Sequence, residues 1–310
     1  MVIDVHTHIF ESSGAFPKGF IDGMYEFKRR DLGEEKFEVW VQHFENARVE
    51  NLIKEMDEVG IDKSVVLPVD FGIQMREEPK ISIWRANEYI AEAQERYPDR
   101  IIGFAGVDPL RRDAIDLLEK GVKKWGLKGV KLMASTFSVG DAEVQPFMFK
   151  VNELGVPLLI HTGTDPIPYH VELGNPAQLD TLLLRYPKIR IIAAHAAKGY
   201  EELMTGMIKV REGRLYADIA GWQYEYQRSH WHFLLKMRYL MDRIPGAIMM
   251  GSDWPFIKTS PYITHKEWFD GLRNLKMPEG VVQLGLGIRD FSEEQKNMIL
   301  GENARSMLGI

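Results

Sequence analysis

The apolar positions of this chain fall into short continuous runs that are separated by longer amphipathic stretches. Each run is bounded by turn-forming or charged residues and is short enough to be a strand. Apolar runs without alternation are typical of parallel strands that are covered on both faces. Eight strands are predicted in this way, over residues 2–5, 64–69, 101–107, 128–133, 156–160, 189–194, 214–219 and 247–251.

The stretches between these runs carry apolar residues at helical spacing. In residues 46–59, Val49, Leu52, Ile53 and Met56 fall on one side of a helix and charged residues fall on the other. The same pattern predicts helices over residues 81–96, 111–125, 143–154, 199–212 and 229–243.

Two further helices are marked by their starts. Asn175-Pro176 offers an N-cap followed by proline, which predicts a helix to about Arg185. The segment Ser292-Glu293-Glu294-Gln295 is a capping-box pattern for a last helix through about Met307. Strands alternating with helices predict a parallel sheet, and eight such units in 310 residues favour one closed (β/α)8 TIM barrel over residues 1–310.

Two segments are longer than ordinary loops, residues 9–45 after the first strand and residues 254–288 after the eighth. We expect them to be functional loops or lids that border each other at the carboxyl face of the barrel. Lys18, Arg29 and Arg30 in the first are candidates to meet a substrate carboxylate, although exposed basic residues are commonly only solvated.

Composition restricts the class of protein. Apolar residues make up 45% and charged residues 27%, which is ordinary for a globular protein. The net charge of −6 offers no basic surface for nucleic acid. No apolar run approaches the ~20 residues that cross a bilayer, and no signal peptide is evident, so a cytoplasmic protein without membrane contact is expected. Cysteine is absent, which excludes disulfides and thiolate ligands.

Metal-binding side chains stand at the carboxyl ends of four predicted strands. His6 and His8 end the first, His161 the fifth, His195 the sixth and Asp253 the eighth. Active sites of parallel barrels lie at this face, so these residues are predicted to converge. His6 and His8 are two residues apart, which places both imidazoles on one face of an extended strand.

Three imidazoles and one carboxylate suit a divalent ion, with zinc first and iron or manganese as alternatives. We predict metal ligation by His6, His8, His161 and Asp253, with Asp253 also accepting a proton from a metal-activated water. His195 is predicted to be a catalytic base or electrostatic partner, or a ligand to a second metal.

Other candidates are weaker. Lys131 lies within a predicted buried strand, so it needs a partner, and it is a candidate second-metal bridge after carboxylation or a substrate contact. Residues that follow strand ends could line a pocket, although packing explains a loop tryptophan equally well; they are Phe10, His170, Trp222 and Trp254.

This ordered set of motifs resembles the amidohydrolase superfamily of metal-dependent hydrolases. The segment Gly251-Ser252-Asp253-Trp254-Pro255-Phe256 and the closing Gly301-Glu302-Asn303-Ala304-Arg305 resemble its amidohydrolase-2 branch, which includes the aminocarboxymuconate-semialdehyde decarboxylase-like enzymes. The resemblance implies a distorted TIM barrel in which His6, His8, His161 and Asp253 hold one divalent metal. It also implies that His195 helps to hold or activate the metal-bound water.

The branch carries out both hydrolysis and non-oxidative decarboxylation. Some of its decarboxylases have glutamate at the first position of the histidine pair, and this chain keeps His6. Lys131 stands where binuclear members of the wider superfamily carry a carboxylated lysine, so a second metal stays open.

Three functions are therefore considered. The first is a hydrolase that uses a metal-activated water on an amide, ester or lactone of a small molecule. The alternative is a metal-dependent decarboxylase, or carboxy-lyase, of a carboxylated small molecule, a class that includes aromatic acids. The third is a non-catalytic barrel with a structural metal, which the absence of thiolates disfavours. A homodimer is the default oligomeric expectation.

Overall fold

The computed structural model describes residues 1–134, 137–164, 170–257, 263–284 and 286–310. All eight predicted strands are present in this part of the chain, with ends that differ from prediction by a few residues. The strands are β1 (Ile3–Thr7), β2 (Lys63–Val66), β3 (Ile101–Gly106), β4 (Gly129–Leu132), β5 (Leu158–Ile160), β6 (Ile191–Ala193), β7 (Leu215–Asp218) and β8 (Ile248–Met249).

The strands form a parallel sheet in which each one pairs with the next along the chain, from β1 to β8. Backbone contacts then join the last strand to the first. The Val5 amide donates to the Met250 carbonyl at 3.1 Å, and Thr7 forms a parallel bridge with Trp254. The sheet is thus a nearly closed barrel, and the predicted (β/α)8 TIM barrel is confirmed.

Helices follow the strands and cover the outside of the barrel. The α-helices are α1 (Lys18–Leu32), α2 (Glu34–Glu45), α3 (Val49–Val59), α4 (Gly72–Met75), α5 (Ile83–Arg96), α6 (Ala114–Lys123), α7 (Gln145–Leu154), α8 (Ala177–Arg185), α9 (Glu201–Val210), α10 (Gln223–Arg228), α11 (His230–Arg243), α12 (His265–Arg273), α13 (Glu279–Gln283), α14 (Glu293–Asn297) and α15 (Asn303–Leu308). Helices α14 and α15 are joined by a π-helical turn, and shorter 3₁₀ turns occur at Ser13–Ala15, Ala142–Val144, Ala194–Ala197 and Pro245–Ala247.

Both predicted helices are present, but α8 begins one residue later than predicted, with Pro176 rather than Asn175 at the N-cap. The Asn175 side chain accepts the Ala177 amide at 3.0 Å at the start of α8. The Ser292 hydroxyl accepts the Gln295 amide, and the Gln295 side chain accepts the Ser292 amide, which completes the predicted capping box of α14.

The two long segments are not the simple loops that were predicted. Residues 9–45 contain α1 and α2, and residues 254–288 contain α12 and α13, with residues 258–262 and 285 outside the described part. The reason is visible in α2, where Phe37, Trp40 and Phe44 fall at helical spacing and are fully buried.

The predicted contact between the two segments is confirmed. The Phe256 ring lies 5.4 Å from that of Phe44 and 6.0 Å from that of Phe16, between ring centroids. The Trp40 indole donates to the Phe256 carbonyl at 3.2 Å. Aromatic packing therefore fixes the helical pair α1–α2 against the segment that follows β8.

Close packing inside the barrel gives one prediction about stability. Gly129 begins β4, and a Cβ at this position would lie 2.4 Å from the Phe104 ring. Gly129→Ala is therefore expected to lower the free energy of unfolding by about 1–3 kcal/mol, measured from the urea midpoint.

The matched control is Gly206→Ala in α9, where a Cβ meets no atom within 4 Å. This change is expected to leave the midpoint unchanged or to raise stability by up to about 1 kcal/mol. Equal midpoints for the two variants would contradict the tight packing at Gly129.

Candidate active site

The predicted ligands His6, His8 and Asp253 are brought together at the carboxyl end of β1 and just beyond β8. One ligand atom from each lies within 4.8 Å of the other two. The Asp253 Oδ1 atom is 3.3 Å from His8 Nε2 and 3.8 Å from His6 Nε2. Two imidazole nitrogens, which are borderline donors, and one carboxylate oxygen, which is a hard donor, are therefore close enough to bind one metal ion.

The two imidazoles are oriented by hydrogen bonds to their other ring nitrogen. His8 Nδ1 donates to the Leu67 carbonyl at 2.7 Å, and His6 Nδ1 donates to Asp218 Oδ2 at 3.0 Å. Each contact fixes the proton on Nδ1, so that both rings present the lone pair of Nε2 towards Asp253.

The charge states also suit a cation. Burial and the neighbouring Lys131 ammonium hold the pKa of His6 well below its usual value, and burial lowers the pKa of His8. Burial alone would raise the pKa of Asp253, but the His8 hydrogen bond and the nearby imidazoles outweigh it and lower the pKa to about 2. Neutral imidazoles and an ionised carboxylate are the forms that bind a metal.

The backbone of Asp253 is set by its neighbours. The Asp253 amide donates to the His6 carbonyl at 2.8 Å. The Ser252 amide donates to the buried Asp4 carboxylate at 3.1 Å, and the same Asp4 oxygen accepts the His6 amide at 3.1 Å. Asp4 thus ties the end of β1 to the turn that carries Asp253.

His161 and His195 line the same cavity as the three donors. The His161 and His195 ring centroids are 4.9 Å apart, and those of His6 and His195 are 5.0 Å apart. His195 Nδ1 donates to the Ala220 carbonyl at 2.9 Å, which leaves Nε2 as the proton-accepting nitrogen. The structure thereby places all five predicted residues around one space.

Unusual backbone conformation is concentrated here. Within the described residues, five non-glycine residues have a positive φ, and four of them belong to this site: His195, Ala196, Ala197 and Asp253. Each left-handed residue costs on the order of 1–3 kcal/mol, so surrounding contacts must hold it. Such strain is typical of functional positions.

Asp218, at the end of β7, is the residue that sequence reasoning missed. Its Oδ1 atom accepts the amides of His195 and Ala220, each at 3.0 Å, while Oδ2 accepts His6 Nδ1. It is fully buried, and burial raises its pKa. Its place at the carboxyl end of a predicted strand was a signal that could have identified it.

Lys131 reaches the same centre from β4. Its Nζ atom lies 3.3 Å from His6 Nε2, and the side chain is buried. This position is compatible with both roles predicted for it, a substrate contact and a carboxylated bridge. An ammonium so close to His6 Nε2 would repel a cation, whereas a carboxylated side chain would offer an oxygen ligand.

The predicted pocket-lining aromatics lie elsewhere. Phe10 is buried against Phe16 and Phe44, with ring centroids 5.0 and 4.9 Å away. The buried Trp222 indole donates to the His195 carbonyl at 2.8 Å, so it supports the strained turn from behind. Trp254 is buried next to β1, and the exposed His170 borders residues 165–169, which lie outside the described residues.

The cavity has a volume of about 430 Å³. Beyond the histidines, its walls are mainly aromatic and basic, and they come from α1, α10 and the segments after β2, β6 and β8. They include Phe20, Met24, Phe27, Lys28, Phe71, Lys198, Tyr224, Arg228 and Phe256. The volume suits a small molecule of one or two rings.

The amidohydrolase-2 family model, described as amidohydrolase, matches residues 3–310. The chain belongs to the amidohydrolase family. It is therefore an enzyme of a metal-dependent family, as the sequence resemblance implied, and the donor set described above fits a divalent metal. The identity and number of metal ions stay predictions.

Solved structures with the same fold include enzymes of two kinds. A 5-carboxyvanillate decarboxylase from Novosphingobium aromaticivorans, complexed with manganese and 4-hydroxy-3-methoxy-5-nitrobenzoic acid, is 17% identical with a TM-score of 0.69, over 100% of this chain and 96% of that one. A probable 2-pyrone-4,6-dicarboxylic acid hydrolase from Acinetobacter baumannii, with citric acid bound, is 18% identical with a TM-score of 0.64. The match covers 100% of this chain and 99% of that one. A 2,6-dihydroxybenzoate decarboxylase from Rhizobium is 16% identical with a TM-score of 0.65. The match covers 99% of this chain and 98% of that one.

The search of curated proteins gave no significant match to this chain. Among the described residues, no helix combines the length and the apolar character needed to cross a membrane.

Asp218 gives a testable prediction about metal binding. In Asp218→Asn the amide oxygen can still accept the backbone amides, but its NH₂ group then faces His6 Nδ1 and moves the ring proton to Nε2. We expect the affinity for manganese or zinc to fall about 10–100-fold, measured by calorimetric titration of the metal-free protein.

The control is Asp180→Asn on α8, which removes a half-exposed carboxylate paired with Arg211 at 2.7 Å, outside the cavity. Its metal affinity is expected to match that of the unmodified protein. An unchanged affinity in Asp218→Asn would show that Asp218 does not orient a ligand.

Proposed function

We propose that this enzyme hydrolyses an amide, ester or lactone bond of a small molecule, with one divalent metal ion held by His6, His8, His161 and Asp253. The observation that carries the proposal is the shared orientation of His6 Nε2 and His8 Nε2 towards Asp253 Oδ1. Zinc is the first candidate, with manganese or iron as alternatives. His6 is kept rather than replaced by glutamate, so the chain does not match the subset of decarboxylases that carry glutamate at this position.

When bound, a divalent ion polarises a substrate carbonyl and acidifies a water molecule, towards a pKa of about 7 in the case of zinc. Asp253, which is ionised at neutral pH, would be the group that accepts a proton from such a water. His195 keeps its own proton on Nδ1 and offers Nε2 as a second acceptor in the same cavity. The two groups together can move a proton from the water to the leaving group.

A metal-dependent decarboxylase is the second candidate. Two observations favour it: the aromatic and basic walls of the cavity, and the decarboxylases among proteins of the same fold. In that reaction the residues would orient a carboxylated substrate, and a protein group would supply a proton to the carbon that loses carbon dioxide.

Four expectations from the sequence stay predictions. They are the homodimer, the cytoplasmic location, the lack of nucleic-acid binding and the single-domain organisation over residues 1–310.

The two reactions predict the same sensitivity to loss of the metal site. Activity should disappear on chelation and return with added zinc or manganese. His161→Ala is expected to lower kcat/KM by at least about a hundredfold, because removing a ligand alters both the affinity and the geometry of the ion. The control is His232→Ala, an exposed histidine on α11, which should retain full activity.

The products separate the two candidates. Carboxylated aromatics, lactones and esters would be screened with parallel measurements of bicarbonate and of the hydrolysed acid. Release of carbon dioxide, detected as bicarbonate after its hydration, without formation of a hydrolysed acid would reject the hydrolase in favour of the decarboxylase. Turnover that survives chelation and His161→Ala would reject both.

A further inference from the structure

One face of helix α1 forms a wall of the active-site cavity. The residues on this face are Phe20, Met24, Phe27, Lys28 and Asp31. They follow one another at steps of four, three, one and three, so they form a single stripe along the helix. Lys28 therefore lies on an otherwise largely apolar stripe, with only 5% of its surface exposed. A lysine in this setting calls for a specific explanation.

The surroundings of Lys28 keep a positive charge inside the cavity. Its Nζ atom donates to the Phe256 carbonyl at 3.0 Å and to the Tyr224 hydroxyl at 3.2 Å. It also lies 5.4 Å from the centroid of the Trp40 ring, within the range of a cation–π contact. Burial lowers the pKa of Lys28 to about 8, and the negative charges of Asp253 and Asp31 act in the opposite direction. The ammonium form thus still dominates at pH 7.

The charge of the cavity as a whole is positive. Apart from the histidines, its walls carry four basic side chains and two acidic ones, before any metal ion is counted. An anion entering this space would meet a complementary potential. The basic residues are Lys28, Lys131, Lys198 and Arg228, and the acidic residues are Asp31 and Asp253.

Lys28 and the metal ligands are linked through one residue. The Phe256 carbonyl accepts the Lys28 proton, while the Phe256 ring packs against His8 with centroids 5.1 Å apart. A group bound by Lys28 would consequently lie beside the centre formed by His6, His8 and Asp253. The aromatic rings of Phe20, Phe27 and Phe71 line the same cavity and suit a planar molecule.

We propose that Lys28 binds a carboxylate of the substrate, and so selects a planar acidic molecule over its neutral ester. This inference rests on the proposed function, because it assigns a charge class to the substrate of the same site. Two donors meet the carboxylate: the Lys28 ammonium and the hydroxyl of Tyr224, which lie 3.2 Å apart. Lys28 is in this sense a specificity-determining residue and not a proton-transfer group.

The test measures binding and needs no turnover. The probe is 4-hydroxy-3-methoxy-5-nitrobenzoic acid, compared with its methyl ester, by calorimetry on manganese-loaded protein at pH 7. The unmodified protein should bind the acid more tightly than the ester. Lys28→Met should weaken binding of the acid about tenfold or more and binding of the ester less than twofold, because only the acid loses a charge-assisted hydrogen bond.

Two further variants separate charge from folding. Lys28→Arg keeps the charge and should bind the acid within about threefold of the unmodified protein. Lys54→Met removes a lysine from α3, where it is 76% exposed and paired with Glu58 outside the cavity, and should change neither affinity. Thermal melting of each variant would show whether the fold is kept.

The proposal is overturned if the unmodified protein binds acid and ester equally, or if Lys28→Met weakens both to the same extent. It is also overturned if Lys28→Arg fails to restore the preference for the acid. If the preference behaves as expected but no hydrolysis or decarboxylation is found, the proposed function fails and the role of Lys28 stands.

Discussion

The buried carboxylate of Asp218 is the contact on which the site depends. One oxygen fixes the ring of His6, and the other holds the backbone amides of His195 and Ala220. An unpaired carboxylate in this desolvated place would be costly, and its three hydrogen bonds offset that cost. Because Asp218 holds both groups with one side chain, the predicted ligand His6 and the strained turn at His195 cannot move independently.

Barrel closure supplies the second constraint. Asp253 lies beyond the short strand β8, and its amide is held by the His6 carbonyl across the seam between the last strand and the first. Asp4 reinforces that seam by accepting the amides of His6 and Ser252 with one oxygen. His265 approaches the other oxygen of Asp4 at 3.6 Å, and its second nitrogen lies 3.4 Å from Glu55. Burial alone would lower the pKa of His265, but these two carboxylates outweigh it and raise that pKa.

The barrel and most of the candidate site could be predicted from the sequence, because the carboxyl ends of the strands in a parallel barrel meet at one face. His6, His8, His161, His195 and Asp253 were found from that rule alone, and the cavity gathers them. Asp218 obeys the same rule but was missed, since an isolated aspartate after an apolar run is also a common turn residue. The segment 9–45 was taken for a loop because its charged residues hide the helical spacing of Phe37, Trp40 and Phe44.

Lys28 shows why the residues of the cavity wall could not be predicted from the sequence. In the sequence it opens the run Lys28-Arg29-Arg30, which reads as a solvated basic cluster. Helix geometry separates the three: Arg29 pairs with Glu34 at 3.1 Å outside the cavity, while Lys28 lies about 100° away, on the stripe of Met24 and Phe27. The rotational position of each residue on helix α1 thus decides which basic side chain faces the cavity. The strand ends of the barrel hold the candidate metal ligands, whereas helix α1, which lies outside the eight strands, contributes a buried cation to the wall of the same cavity.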